Sequence, residues 1–509
     1  MLEAVQIYES EEYDTKPVDM GQYNIQWNQE KKLLLKIDLH LIPVCALFIF
    51  ISLLDQGNIF TAEFDKMQSF IGLEGSQFNH CIMICIVTYA VFAVPSCLGL
   101  IKTSPSSWLS TIISCWGVVM TTMGIIHDFT GLFWSRFFLG VFEAGMLPGV
   151  SFVLSIWYKK NELQFRQALL TGLAVSANAF GGLLSWTILM MTGVGGLEGW
   201  RWVFIIEGSL SVVVGGFGYM IMCNYPDTSD LLSYSEKKIM NKRVLAAEGW
   251  NMEEFEDNED DEYEGEESEI MQLFKRYKWN GLEGSLIDWQ VWFHTMIYIA
   301  ISVAKYSINI LLPRILGSMN FTEEKIKLIS IPVFTSSSIC SILVAIASDK
   351  VAARSPALVL SFVMIIAGFI VIMISEVHDT RGSVAYSGMF LASIGVYTAI
   401  PASVTWLSNN TLCQAKRLFA LALQIGLGEL GGVVATYIYI NSNTSKSFAH
   451  GMIIIIAFSG LILVILLSFI YLKTNRKRIK ICTSVIAERL PNMDLALVGD
   501  KNVFFRYMN

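Results

Sequence analysis

Long, uninterrupted runs of apolar residues dominate the hydrophobic pattern of this chain. They recur from one end to the other, for example at 80–101, 109–126 and 452–472. A run of about twenty apolar residues is long enough to cross a bilayer as an α-helix, whereas a barrel strand alternates over about ten residues. Lipid offers no partner to backbone amides, so such segments must satisfy their own hydrogen bonds. The pattern therefore predicts an all-α membrane protein.

Twelve spans follow from these runs, six on each side of a long polar stretch. The predicted spans are 39–60, 79–101, 107–127, 130–157, 168–192, 201–223, 288–312, 326–347, 355–376, 383–406, 416–440 and 449–473. They predict an N-terminal six-helix bundle (39–223) and a C-terminal six-helix bundle (288–473), with tails at 1–38 and 474–509. The polar linker (224–287) carries the run EEFEDNEDDEYEGEE, a composition that builds no packed core.

Composition agrees with a membrane location. Hydrophobic residues make up 53% of the 509 positions and charged residues only 16%, whereas soluble domains carry about a quarter charged residues. The nine cysteines lie mostly within apolar runs and lack metal-ligand spacing, so neither a disulfide framework nor a metal site is predicted. The polar, acidic first forty residues predict no removable signal peptide. The net charge of −8 arises largely from the linker and indicates nothing about substrate.

Basic residues near the span ends predict the orientation of the chain. Lysine and arginine concentrate in the tails and in the loops that follow even-numbered spans, as at Lys159, Lys160 and Arg166, and in the cluster 473–480. Because such residues favour the cytoplasmic side, both termini and the linker are expected there.

The fourth predicted span contains two ionisable residues, Arg136 and Glu143. Seven residues are nearly two helical turns, so both side chains project from about the same face. Charges at membrane depth are costly and usually face the bundle interior. Two roles remain open: a structural ion pair with a neighbouring helix, or a proton carrier at Glu143 that is modulated by a fixed cation.

Three further charges lie inside predicted spans. Lys305 is central in the seventh span, where an ammonium group needs a carboxylate partner. That partner is either an incoming anionic substrate or Glu429 of the eleventh span, and the sequence does not choose between them. Asp55, near the outer end of the first span, is a second proton-coupling candidate, although an interfacial structural role is favoured for it.

Other residues are candidates for substrate contact or helix packing. Tyr306 and Asn178 are candidates for substrate contact, although most aromatic residues of such a chain face lipid or the interface. The glycines assigned to gating and packing contacts between helices are Gly181, Gly182, Gly428 and Gly432.

No phosphate-binding loop, dinucleotide motif or nucleophile elbow occurs in a suitable context. An enzymatic activity, a cofactor and a nucleic-acid partner are therefore not predicted, and uphill transport would depend on an ion gradient.

The two halves are similar to each other in one respect. The fifth and eleventh spans each place a glycine pair about sixteen residues after a basic residue, Arg166 and Lys416 respectively. Two parallel six-span repeats are the architecture of major-facilitator transporters.

Several longer strings resemble one family, the fungal anion:cation symporters of the major facilitator superfamily, which transport allantoate, nicotinate, pantothenate and biotin. The resemblance runs from Lys36 to Asn509, and the second half is most similar to the nicotinate permease branch. The strings are KIDLHLIPVCALFIFISLLDQGNI (36–59), WSRFFLGVFEAGMLPGVSFVLSIWYKKNE (134–162), FGGLL followed by GWRWVFIIEG (180–208), SDKVAARSP (348–356), WLSNNTLCQAKRLFALALQIGLGELGG (406–432) and GDKNVFFRYMN (499–509). The resemblance implies twelve spans, cytoplasmic termini, a plasma-membrane location and proton-coupled import of a small organic anion by alternating access.

The chain also departs from that family. Gln56 follows Asp55 where a basic residue is usual, Glu429 replaces a neutral residue, and Lys305 is unusual at its place. These changes alter the charge expected in the cavity and lead to the hypothesis of a zwitterionic or less acidic substrate. A nutrient sensor that keeps the fold without transport is the alternative function, because a fold does not fix a function.

Overall fold

The computed structural model describes residues 20–64, 67–73, 77–248, 281–377, 382–411, 413–440, 446–485 and 507–508. The acidic run 253–267 lies outside these residues, and the side chains of Asp55 and Asn178 also lie outside the described part. The regular elements of the described residues are helical.

The described helices form twelve spans in two sets of six. The first six are Met20–Phe64, Gln77–Lys102, Pro105–Met123, Phe129–Glu143 with Met146–Trp157, Leu163–Leu189 and Gly199–Ile221. The last six are Trp289–Ser318, Glu323–Val351, Ser355–Val377, Gly382–Asn410, Gln414–Gly428 with Gly431–Ile440, and Lys446–Val485. Within the described residues, eleven helices are long and apolar enough to cross a membrane on their own. The third span, 19 residues long and rich in serine and threonine, completes the twelve by packing along the sixth.

Two spans that were predicted as continuous helices each contain a short break in the regular helical hydrogen bonding. The fourth span has it after Glu143 and the eleventh at Glu429, but Ala144 and Glu429 keep right-handed helical backbone angles and each span still crosses as one long helix. The hydropathy pattern continues through both breaks, so it does not reveal them. Glycine lies at each break, at Gly145 and Gly428, where the missing side chain permits close approach of a neighbouring span and weakens helix propensity. A glutamate therefore lies at each break.

Several predicted span boundaries also differ from the observed helices. The first helix begins at Met20 instead of residue 39, and the last continues to Val485 instead of residue 473. Both helices extend into polar sequence beyond their apolar runs, where hydropathy carries no signal. The linker contains the helix Tyr234–Glu248 in its described part.

Buried apolar side chains hold the two halves together. One large cluster lies within the N-terminal half, and a second fills the C-terminal half and continues into the second, fourth and fifth spans through Tyr89, Phe152 and Val175. A small third cluster lies in the C-terminal half. The fifth span packs on the eighth, and the second packs on the eleventh. Burial of apolar surface between the halves therefore stabilises one relative arrangement of the bundles.

The third and sixth spans cross at closely spaced glycines, which leads to a stability prediction. A Cβ at Gly208 would lie 2.5 Å from the backbone nitrogen of Thr121 and 2.9 Å from the carbonyl oxygen of Gly117, so neither helix has room for it. We expect Gly208→Val to destabilise the protein by about 3 kcal/mol or more and to lower its unfolding temperature, because overpacking displaces backbone. Gly216→Val is the matched control, since a Cβ there meets no atom within 4 Å. Equal unfolding temperatures for the two variants would contradict the described crossing.

Candidate substrate cavity

A cavity of about 520 Å³ lies between the two halves. Its described lining comes from the first, second, fourth, fifth, seventh, eighth, tenth and eleventh spans. This volume is within the range of small-molecule binding sites, about 300–1,000 Å³. The predicted residues that line it are Arg136, Glu143, Lys305, Tyr306, Glu429 and Gly182. Charged residues from three distant parts of the sequence, the fourth, seventh and eleventh spans, thus line one cavity.

Lys305 and Glu429 form an ion pair in this cavity. The Lys305 Nζ donates to both carboxylate oxygens of Glu429, at 2.7 Å each. The same ammonium group lies 4.7 Å from the centre of the Tyr306 ring, a cation–π distance. The sequence left two partners open for Lys305, Glu429 or an anionic substrate, and in the described structure the partner is Glu429. Such a pair is costly to bury but keeps the local charge neutral.

Close contacts at two glycines place Glu429 against the seventh span. A Cβ on Gly428 would lie 2.2 Å from Cδ1 of Tyr298, and one on Gly432 would lie 2.6 Å from Cε2 of Tyr306. These glycines let the eleventh span approach the seventh closely enough for the ion pair to form. Gly181 and Gly182 differ, because added Cβ atoms there would make ordinary contacts of 3.6 Å with Leu54 and Lys327.

Arg136 and Glu143 lie one above the other on the cavity face of the fourth span. Both are buried, with 3% and 4% of their surfaces exposed, and the Ser52 hydroxyl donates to Oε1 of Glu143 at 3.2 Å. Gly140, between them in sequence, faces the second span, where a Cβ would lie 2.3 Å from the carbonyl oxygen of Cys85. The tight contact at Gly140 fixes the rotation of the helix and so holds both charged side chains in the cavity.

Sequence reasoning missed part of the basic lining. Arg314 and Lys327 line the cavity at the ends of the seventh and eighth spans. In the sequence they resemble the interfacial cations that flank many spans. Nothing in the sequence therefore indicated that they line the cavity. Together with Arg136 and Lys305 they give the described lining four cations against two carboxylates, Glu143 and Glu429. This balance favours a negatively charged ligand.

One side of the bundle is closed by polar contacts between the halves. Arg354 is fully buried and its guanidinium lies 2.6 Å from Asp349, 2.6 Å from Gln164 Oε1 and 2.7 Å from the carbonyl oxygen of Lys160. Asp349 also accepts from the backbone nitrogen of Phe165 at 2.8 Å. Burial lowers the pKa of Arg354, Asp349 opposes that shift, and a guanidinium remains charged in either case. We call Gln164, Asp349 and Arg354 the lock.

The lock lies on the side of the protein that holds both ends of the described chain. Near the N-terminal end, Glu30 pairs with Lys159 at 2.6 Å, in the loop beside the lock. Near the C-terminal end, the backbone N–H of Met508 donates to Oδ1 of Asn410 at 2.7 Å. The side-chain amide of Asn409 donates to the carbonyl oxygen of Lys160. We call this the terminal side. The cavity extends the other way, to Gly317 and Ile326 at the opposite ends of the seventh and eighth spans.

Comparison with known proteins identifies the family. The sequence profile of the Major Facilitator Superfamily matches residues 45–436. An uncharacterized transporter of Schizosaccharomyces pombe is 29% identical over 423 residues, which cover 83% of this chain and 80% of that protein. The high-affinity nicotinic acid transporter of Saccharomyces cerevisiae is 26% identical, with 94% of this chain and 85% of that protein covered.

Among solved structures, the proton:xylose symporter XylE, in complex with 6-bromo-6-deoxy-D-glucose, superposes with a TM-score of 0.62 at 14% identity, covering 84% of this chain and 95% of that one. At this identity the likeness concerns the fold alone. The predicted all-α fold of two six-helix bundles is confirmed, as is the prediction that the chain is not an enzyme. With its profile match across most of the chain, this protein belongs to the major facilitator superfamily and is a membrane transporter.

Proposed function

We propose that the chain is a proton-coupled importer of a small organic anion, such as a nicotinate-like carboxylate or an allantoate-like ureide. The observation that carries the proposal is the cavity between the halves, in which cations outnumber buried carboxylates among the described lining residues. The cations suit an anionic substrate, and the carboxylates suit a proton. The relative that is named a nicotinic acid transporter and the anion:cation symporter motifs support the same substrate class.

Alternating access would follow from the asymmetry of the two sides. The terminal side is closed by the lock, whereas the cavity reaches toward the opposite side. With cytoplasmic termini in the plasma membrane, as we propose, this arrangement is open toward the outside and ready to receive substrate. Rocking of the two halves about the cavity would then expose the site to the cytoplasm.

Glu143 is our proposed proton carrier. It is a buried carboxyl group of the cavity lining, and carboxyl groups inside membrane spans are typical members of proton pathways. Its position beside Arg136 in the cavity would let one proton and one anion be carried by the same rearrangement. Asp55 remains a second candidate on sequence grounds.

Uptake by cells that express the chain tests this function. We expect accumulation of labelled nicotinate, allantoate or pantothenate that increases as external pH falls and is abolished by an uncoupler. Cells that express Glu143→Gln are the matched control and should lose uphill accumulation. Uptake that ignores pH and uncoupler would refute proton coupling. Absence of uptake for all three anions would favour a nutrient sensor with the same fold.

A further inference from the structure

The ion pair in the cavity leaves Lys305 fully engaged. Its ammonium group contacts both oxygens of Glu429 and the face of Tyr306. Lys305 is 15% and Glu429 9% exposed in their side chains, so little water reaches either. An anion that is to bind Lys305 must therefore take the place of Glu429.

Electrostatics limits how that replacement can occur. If a substrate carboxylate joined the pair and both acids stayed ionised, the buried group would carry a net negative charge, which a poorly solvated site tolerates badly. If Glu429 took up one proton as it left, Lys305 would exchange one carboxylate for another and the net charge would not change. One anion and one proton would enter the site together.

The surroundings of Glu429 suit both of its states. Glu429 lies at the break of the eleventh span, between helices that end at Gly428 and begin at Gly431. Its backbone nitrogen donates to Ile425 at 3.0 Å and its carbonyl oxygen accepts from Gly432 at 2.8 Å, so the side chain is carried by a tightened helical turn. Tyr298 and Tyr306 of the seventh span line the cavity beside Glu429. They are the neighbouring polar side chains that a neutral carboxyl group would meet after Lys305 is released.

The other titratable groups near Glu429 come from the neighbouring spans. Among the described side chains, the second span supplies Tyr89, which lies within the electrostatic reach of both Glu429 and Glu143. The fourth span supplies Glu143 and Arg136, the seventh supplies Arg314, the eighth supplies Lys327 and the tenth supplies Tyr397 to the same lining. Among these groups, Lys305 is the cation that makes hydrogen bonds with Glu429, so its pairing is the one that changes when Glu429 is displaced.

We propose that Lys305 is the group that binds the substrate carboxylate, and that Glu429 is its resident counter-ion, protonated when the substrate displaces it. This inference rests on the proposed function and adds to it a second carboxyl group, besides Glu143, that titrates. It makes the carboxylate itself the recognised feature of the substrate. A ligand of the same shape with an amide in that place cannot take over the pairing with Lys305.

Equilibrium binding to the purified protein tests the exchange without requiring transport. We would measure the Kd of labelled nicotinate, and of allantoate and pantothenate, between about pH 6 and pH 8, where carboxylic acids are ionised. Because one proton is bound with each anion, the Kd of the wild-type protein should increase about tenfold for each pH unit. Nicotinamide, which lacks the carboxylate, should not compete.

The variant Glu429→Gln removes this titrating group and should reduce the pH dependence of the Kd by about tenfold per pH unit, so that any remaining slope belongs to Glu143. Glu376→Gln is the matched control, because Glu376 is a partly buried carboxylate of the ninth span that does not line the cavity, and it should retain the wild-type slope. A wild-type slope in Glu429→Gln would overturn the exchange. Wild-type binding without any pH dependence would overturn it as well, even where the uptake experiment succeeds.

A calorimetric measurement covers the case in which Glu429→Gln fails to fold. Titration of the wild-type protein in two buffers of different ionisation enthalpy counts the protons taken up with each anion. We expect one proton, and a count of zero refutes the exchange. If none of the three anions binds and none is taken up, the proposed function itself fails. If uptake is coupled to protons but no proton is taken up on binding, the exchange is refuted while the proposed function stands.

Discussion

Replacing Lys305 with methionine should abolish uptake of the anion and strongly destabilise the folded protein. Methionine is apolar and of similar length, so the variant removes the charge while it largely preserves packing. It leaves the Glu429 carboxylate buried without its cation, and breaking a buried pair in this way costs about 3–5 kcal/mol. Uptake of labelled nicotinate and the unfolding temperature of the purified protein measure the two effects.

The double variant Lys305→Met with Glu429→Gln separates the two losses. Because it removes both charges, most of the stability should return, as expected when an entire buried pair is replaced. Uptake should remain absent, since no cation is left at that position to bind the carboxylate. Wild-type uptake by Lys305→Met would show that the substrate does not depend on this ammonium group. Recovery of uptake by the double variant would show that Lys305 serves structure only.

The charged residues of the cavity could be found from the sequence because lipid excludes them. Arg136, Glu143, Lys305 and Glu429 each interrupt an apolar run, and all four line the same cavity. The pairing of Lys305 with Glu429 could not be predicted in the same way. Lys305 and Glu429 are separated by 124 residues, and the packing of Gly428, Gly431 and Gly432 against the seventh span brings their spans into contact.

Features that depend on the neighbours of a residue were missed. The break after Glu143 leaves no signal in hydropathy, because the residues on both sides are equally apolar. Arg314 and Lys327 lie near span ends, where a cation usually meets water, yet both line the cavity. The partners of Arg354 come from the other half of the chain, so the string SDKVAARSP indicates a motif but not the contacts it makes.

Replacing Arg354 with alanine should open the terminal side. Arg354 is fully buried, and its loss leaves Asp349 without its cation and removes the shorter of the two hydrogen bonds to the carbonyl oxygen of Lys160. If this weakens the closed state by about 3 kcal/mol, the balance between closed and open states shifts more than a hundredfold. Uptake should decrease at least about tenfold, because the state that is open on the opposite side and receives substrate is then rarely populated.

Distances between spin labels measure that shift directly. Labels attached to cysteines at Thr103 and Lys350, which are exposed positions on the terminal side of the two halves, should move apart in Arg354→Ala. Arg476→Ala is the matched control, because Arg476 is exposed on the last helix, and it should leave both the distance distribution and uptake unchanged. If Arg354→Ala keeps the wild-type distances, the lock does not hold the closed state. If the labels separate while uptake stays normal, closure of the terminal side does not limit the transport cycle, and the slow step lies elsewhere, for instance in the exchange at Lys305.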